Sequence, residues 1–190
     1  KFGKRPYLGA RPYLGNQQYG PKYQWKTYEE GFQIAKQFGR GLYHLGVQKG
    51  SIFGIYAENS YNWVHSIDAS SLYGFAIASL YDSLGNDSII YIMRHSKMES
   101  VLVSDKNTKK LVDLIAADFE SSNPEPLAVK SLILYSEESV QYATENLSQY
   151  NISIFTFDRV CEIGRPDDVQ FPSIDPEDIH LICYSSGTTG

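Results

Sequence analysis

Hydroxyl and glycine residues are packed most densely in the run Tyr184-Ser185-Ser186-Gly187-Thr188-Thr189-Gly190. Hydroxyls donate to anions, and glycines let backbone amides approach one without a side chain in the way. The apolar stretch Ile179 to Tyr184 leads directly into this run. A loop that leaves the carboxyl end of a parallel strand is where open α/β sheets take up ligands. The order strand-then-loop therefore points to an anion-binding loop made of Ser185, Ser186, Gly187, Thr188, Thr189 and Gly190. The same residue types also make a plain polar turn or linker, and composition alone leaves that alternative open. A Walker-type loop does not fit, because no lysine follows the glycines at the required spacing.

Other chemically capable residues have simpler readings. His44, His65, His95 and His180 fall on different elements without metal-ligand spacing, so no metal site is expected within the chain. Asp68, Asp82 and Asp87 could suggest carboxylate chemistry, but Asp87 reads as a helix cap. Cys161, expected in a loop, and Cys183, in the last strand, have no identifiable base beside them and read as reduced packing residues of an intracellular protein. Gly39-Arg40-Gly41 lies inside a helical pattern rather than after a strand, so close helix packing explains its glycines better than a dinucleotide fingerprint. The glycosylation sequons at Asn86, Asn146 and Asn151 are matches of a kind that chance supplies.

The elements that would position the loop are legible upstream. The chain has 190 residues, 42% of them hydrophobic and 21% charged, enough to bury a core. Its net charge of -5 offers no basic stripe to neutralise phosphates, which argues against nucleic acid as a partner. No apolar run approaches the roughly 18 residues of a membrane helix. Residues 1–26, with the echo Arg5-Pro6-Tyr7-Leu8-Gly9 and Arg11-Pro12-Tyr13-Leu14-Gly15, read as an irregular arm. Residues 27–190 read as one incomplete domain.

Thr27-Tyr28-Glu29-Glu30 is a capping box, and Tyr28, Phe32, Ala35, Phe38, Leu42 and Leu45 recur at helical spacing up to Gly46 as C-terminal cap. Apolar runs at Ile52–Ala57, Phe75–Leu80, Val101–Ser104, Leu132–Tyr135, Ile152–Phe157 and Ile179–Tyr184 predict buried strands. Helices are expected between them over 61–73, 88–95, 108–120 and 138–149. Such alternation predicts an α/β fold with a largely parallel sheet and flanking helices.

The terminal run resembles the signature phosphate loop of adenylate-forming enzymes, in which Pro-Lys follows the last glycine; Ser185 stands where threonine is usual. Trp25-Lys26-Thr27-Tyr28-Glu29-Glu30, Gly50-Ser51-Ile52-Phe53-Gly54-Ile55-Tyr56, Asn59 with Trp63, Leu80-Tyr81-Asp82-Ser83-Leu84-Gly85 and His95-Ser96-Lys97 occur in that order. Together they are similar to eukaryotic-type long-chain fatty acid–CoA ligases. The resemblance implies the first lobe of an AMP-binding N-terminal domain, with fatty acid, ATP and CoA as substrates and Mg2+ as cofactor. It places the ATP phosphates on Ser185 to Gly190 and the catalytic residues beyond residue 190. It also implies membrane association through a segment outside this stretch. The endoplasmic reticulum, mitochondrial outer membrane, peroxisome and lipid droplet are all open as locations. A sequence that starts at lysine and ends within this loop is expected to be part of a longer protein and to complete neither half-reaction as it stands. The alternatives are an adenylate-forming ligase for a short or aromatic acid, and a non-catalytic nucleotide-binding module.

Overall fold

The computed structural model describes residues 1–15, 18–121, 125–166 and 169–185. Its centre is a six-stranded sheet built from β5 (Ile52–Tyr56), β6 (Ala76–Ser79), β7 (Ser100–Val103), β8 (Ser131–Leu134), β9 (Ser153–Thr156) and β10 (Leu181–Ile182). The strands lie in the order β10-β6-β5-β7-β8-β9, and every neighbouring pair is parallel. Parallel strands need crossovers, and helices supply them: α2 (Tyr61–Tyr73), α3 (Asn86–Ser96), α4 (Asp105–Glu120) and α5 (Glu137–Leu147).

Strand alternation divides the core into two layers. Phe53 and Ile55 of β5, Ile77 of β6, Leu102 of β7 and Ile133 of β8 pack with α1 (Tyr28–His44), α2 and α6 (Phe157–Ile163). Tyr56, Ala78, Val101, Val103, Leu132 and Leu134 face the other way, against Ile89, Ile92 and Met93 of α3 and Leu111, Val112 and Ile115 of α4. Both faces of the sheet are thus covered, which is why its strands read as continuous apolar runs.

The helix ends follow local chemistry. The Thr27 hydroxyl accepts from the Glu30 amide at 3.3 Å, and the Thr27 amide donates to the Glu30 carboxylate at 2.7 Å. Gly46 adopts φ 95°, a left-handed conformation that costs glycine little, just past the end of α1. Ser60 caps α2 through the Trp63 amide, and Gly74 ends it at φ 71°.

Several sequence expectations need correction. The arm read as irregular forms antiparallel ribbons: β1 (Pro6–Ala10) pairs with β4 (Gln24–Thr27), and β2 (Tyr13–Gly15) with β3 (Gln18–Tyr19). The run Ile152–Phe157 is strand only from Ser153 to Thr156, whose hydroxyl then caps α6 by accepting from the Arg159 amide at 3.1 Å. Cys161 therefore lies on a helix rather than in a loop, and burial pushes its thiol up to about 12. Asp87 sits within the first turn of α3, where it favours the helix dipole, while Gly85 occupies the cap position. On α1 the apolar stripe is buried at Ala35, Phe38 and Leu42, but Tyr28 and Phe32 are exposed.

Candidate functional site

Glycines 39 and 41 are packing devices, as their helical context suggests. A β-carbon on Gly39 would stand 2.2 Å from the Tyr73 ring, and one on Gly41 would stand 2.0 Å from the Val160 carbonyl oxygen. Between them Arg40 is buried and donates to the Pro166 carbonyl at 2.5 Å. They anchor the α1, α2 and α6 layer on which the sheet rests.

The carboxyl ends of the parallel strands gather the polar side chains. After β6 the chain crosses β5 to form β7, so the winding reverses beside β5, the kind of place where open sheets bind ligands. There the polar groups satisfy one another. Ser104 donates to Glu58 at 2.6 Å, Asn107 donates to Asp82 at 2.7 Å, and Lys106 pairs with Asp82. The Lys106 bond, with that of Asn107, holds the Asp82 carboxyl below the usual carboxylate range. Asp82 is a tie between β6 and α4. Asp68 likewise accepts from the Tyr7 hydroxyl at 3.0 Å, joining the N-terminal ribbon to α2. Burial first, and this carboxylate second, push the Tyr7 phenol up to about 12.

One strand farther out, β10 carries the predicted loop. It pairs with β6 through Leu181 opposite Ile77 and Ile182 opposite Ala78, so the chain leaves it at the same carboxyl edge. The six-residue apolar run shortens to two residues of strand, because β6 is its sole pairing neighbour among the described residues. Side chains hold the rest of the stem. Lys49 pairs with Asp178 at 2.7 Å and donates to the Ser173 carbonyl at 2.9 Å, and that pairing draws the Asp178 carboxyl down. His180 Nε2 lies 3.0 Å from the Ser71 hydroxyl. Tyr81 lies beside Cys183, and its phenol is raised by burial first and then by that neighbouring thiol. Tyr184 Oη lies 2.8 Å from His95 Nδ1.

Of the predicted loop, Ser185 is exposed immediately beyond this stem. Ser186, Gly187, Thr188, Thr189 and Gly190 lie outside the described residues. The histidines remain on separate elements: His44 ends α1, and His65 is buried on α2 with neither ring nitrogen hydrogen-bonded to protein. Among the described residues no group of three or more His, Cys, Asp or Glu side chains is gathered to hold a metal ion. Residue type and spacing give His95 and Tyr81 no place at the loop. Their sole signal was membership of the ordered matching stretches, because both partners lie far along the chain.

A parallel sheet with helices packed on both faces defines an α/β class of protein, and comparison with known proteins narrows it. The model of the AMP-binding enzyme family matches residues 9–190. The chain belongs to the AMP-binding enzyme family. It is 30% identical over 169 residues to long chain acyl-CoA synthetase 4 of Arabidopsis thaliana, covering 89% of this chain and 24% of that protein. It is 28% identical over 168 residues to the peroxisomal long chain acyl-CoA synthetase 6 of the same plant, covering 88% of this chain and 23% of the relative. The chain thus spans about a quarter of the length of these relatives. Its fold is similar to that of the adenylation domain of a carboxylate reductase from Mycobacterium chelonae. That match has a TM-score of 0.84 at 20% identity, over 99% of this chain and 31% of the other.

Proposed function

We propose that this chain is the first lobe, residues 27–190 with the ribbon of residues 1–26 packed on it, of a long-chain fatty acid–CoA ligase. In this reading Ser185, Ser186, Gly187, Thr188, Thr189 and Gly190 hold the phosphates of ATP. One observation carries it: the glycine and hydroxyl run continues from Tyr184 at the carboxyl edge of a parallel sheet, in a chain of the AMP-binding family. The similarity to long chain acyl-CoA synthetases supports the acyl class of the substrate.

A carboxylate oxygen of the fatty acid attacks the α-phosphorus of ATP, and the bond to pyrophosphate breaks to leave an acyl-adenylate. The CoA thiolate then attacks the acyl carbon and AMP departs. The first step brings two anions together, so amides and hydroxyls fixed on the β- and γ-phosphates contribute by alignment and charge stabilisation. Magnesium, bound with the nucleotide, would neutralise part of that phosphate charge. Because fatty acids partition into bilayers, we place the protein inside the cell at a membrane surface of the endoplasmic reticulum, mitochondrion, peroxisome or lipid droplet. Among the described residues no helix is long and apolar enough to cross a membrane.

Product analysis tests the reading. The full-length protein carrying this chain, given ATP, CoA and palmitate, is expected to form palmitoyl-CoA and AMP in equal amounts. Formation of ADP, or no thioester with AMP, overturns it.

A further inference from the structure

The stem of the phosphate loop is held by little backbone. β10 has two residues, pairs with a single described strand, and ends before Cys183. Tyr184 therefore stands outside the ladder, immediately ahead of Ser185. It packs on the core, and α3 supplies its polar contact. That helix is locked into the core by Ile89, Ile92 and Met93, while Tyr91 and His95, one turn apart, share its outer face. Their rings stack at 5.6 Å with an interplanar angle of 16°. The stack sets the plane of the imidazole, and the Tyr184 ring meets it edge-on at 84° with its oxygen 2.8 Å from Nδ1.

Either atom can be the donor in this bond, according to the tautomer of the imidazole.

We propose that His95 is a positioning residue for the phosphate loop, acting through the Tyr184 hydroxyl to set where Ser185 begins. His95 touches no substrate in this scheme. The inference rests on the ATP-binding reading above and extends it to a residue on another element. Losing the bond frees the stem to sample other positions, so ATP binding weakens while the fatty acid site is left as it was. One exposed hydrogen bond sets the scale, about two- to tenfold in affinity.

The test uses the full-length protein, with KM values for ATP and palmitate from ATP–pyrophosphate exchange and Kd for a non-hydrolysable ATP analogue from calorimetry. His95→Ala and Tyr184→Phe are each expected to raise KM and Kd for the nucleotide about two- to tenfold. The double variant is expected to be no worse than either single one, and the KM for palmitate to change less than about twofold. His95→Asn, whose amide can occupy the place of Nδ1 as donor or acceptor, is expected to restore most of the nucleotide affinity. Singles whose effects multiply in the double variant, or unchanged nucleotide affinity, overturn the proposal. Wild-type protein that binds the analogue without exchange refutes the ligase reading alone, and the Kd series still decides on His95. Wild-type protein that binds no nucleotide refutes both.

Discussion

Replacing Gly41 by alanine sets two known effects against each other. Alanine is the better helix former, by about 1 kcal/mol in an open helix. At Gly41, however, the added β-carbon would stand 2.0 Å from the carbonyl oxygen of Val160 and 2.7 Å from its Cγ1. An ordinary contact needs more than a further ångström, and the closest atom is backbone, so no rotamer change relieves it. The helices must part, yet α6 is tied to α1 a second time: a β-carbon on Gly164 would lie 1.8 Å from the Gln37 carbonyl. Moving α6 also disturbs the Phe38–Phe157 stack at 4.1 Å. Overpacking of this kind costs about 3 kcal/mol, leaving a net loss of about 2 kcal/mol after the gain in helix propensity. With a urea slope of about 2 kcal/mol/M, the unfolding midpoint followed by tryptophan fluorescence falls by about 1 M. Adding Val160→Ala does not restore it, because the oxygen remains. A midpoint that is unchanged or higher in Gly41→Ala refutes the reasoning and returns Gly39-Arg40-Gly41 to the open question of what it does.

Thiol reactivity provides a second check. Cys183 is exposed, whereas burial holds the Cys161 thiol at about 12. At pH 8 a maleimide is therefore expected to modify Cys183 faster than Cys161, with equal rates by peptide mass spectrometry counting against the burial of the Cys161 thiol. The same shift carries a pH dependence, shared with Tyr7 and Tyr135, whose phenols burial also raises to about 12. These groups stay protonated in the folded chain after the unfolded chain has lost their protons. Stability is thus full below about pH 8.5 and falls as the pH rises from there toward 12. Urea midpoints that stay level between pH 9 and pH 11 would remove that assignment.

How much of this was legible beforehand depended on the range of the interactions. The helix from Tyr61 to Tyr73 was read to the residue, because Ser60 and Gly74 mark its ends by local chemistry. The sheet's parallel character followed from apolar runs alternating with helical patterns. The ribbon of β1 and β4 was not visible, since its pairing joins Pro6 to Thr27 across proline- and glycine-rich sequence. The short α6 was hidden because Thr156 ends a strand and caps a helix at once, and Phe157 extends an apolar run while starting that helix. At the candidate site, Ser185 to Gly190 stand out by residue type alone. The groups that hold their stem do not, because Ser71, Tyr81 and His95 are remote in sequence and bear ordinary side chains.

Exchange of labelled pyrophosphate into ATP, measured on the full-length protein with a panel of carboxylic acids, tests the central claim most directly. It isolates formation of the acyl-adenylate, the step in which the loop would grip the departing phosphates. Exchange that depends on palmitate or a similar long-chain acid, and is weak with acetate or benzoate, is the predicted result. Exchange with acetate or an aromatic acid and none with long-chain acids would contradict the long-chain assignment, and no exchange with any acid would contradict adenylate formation itself.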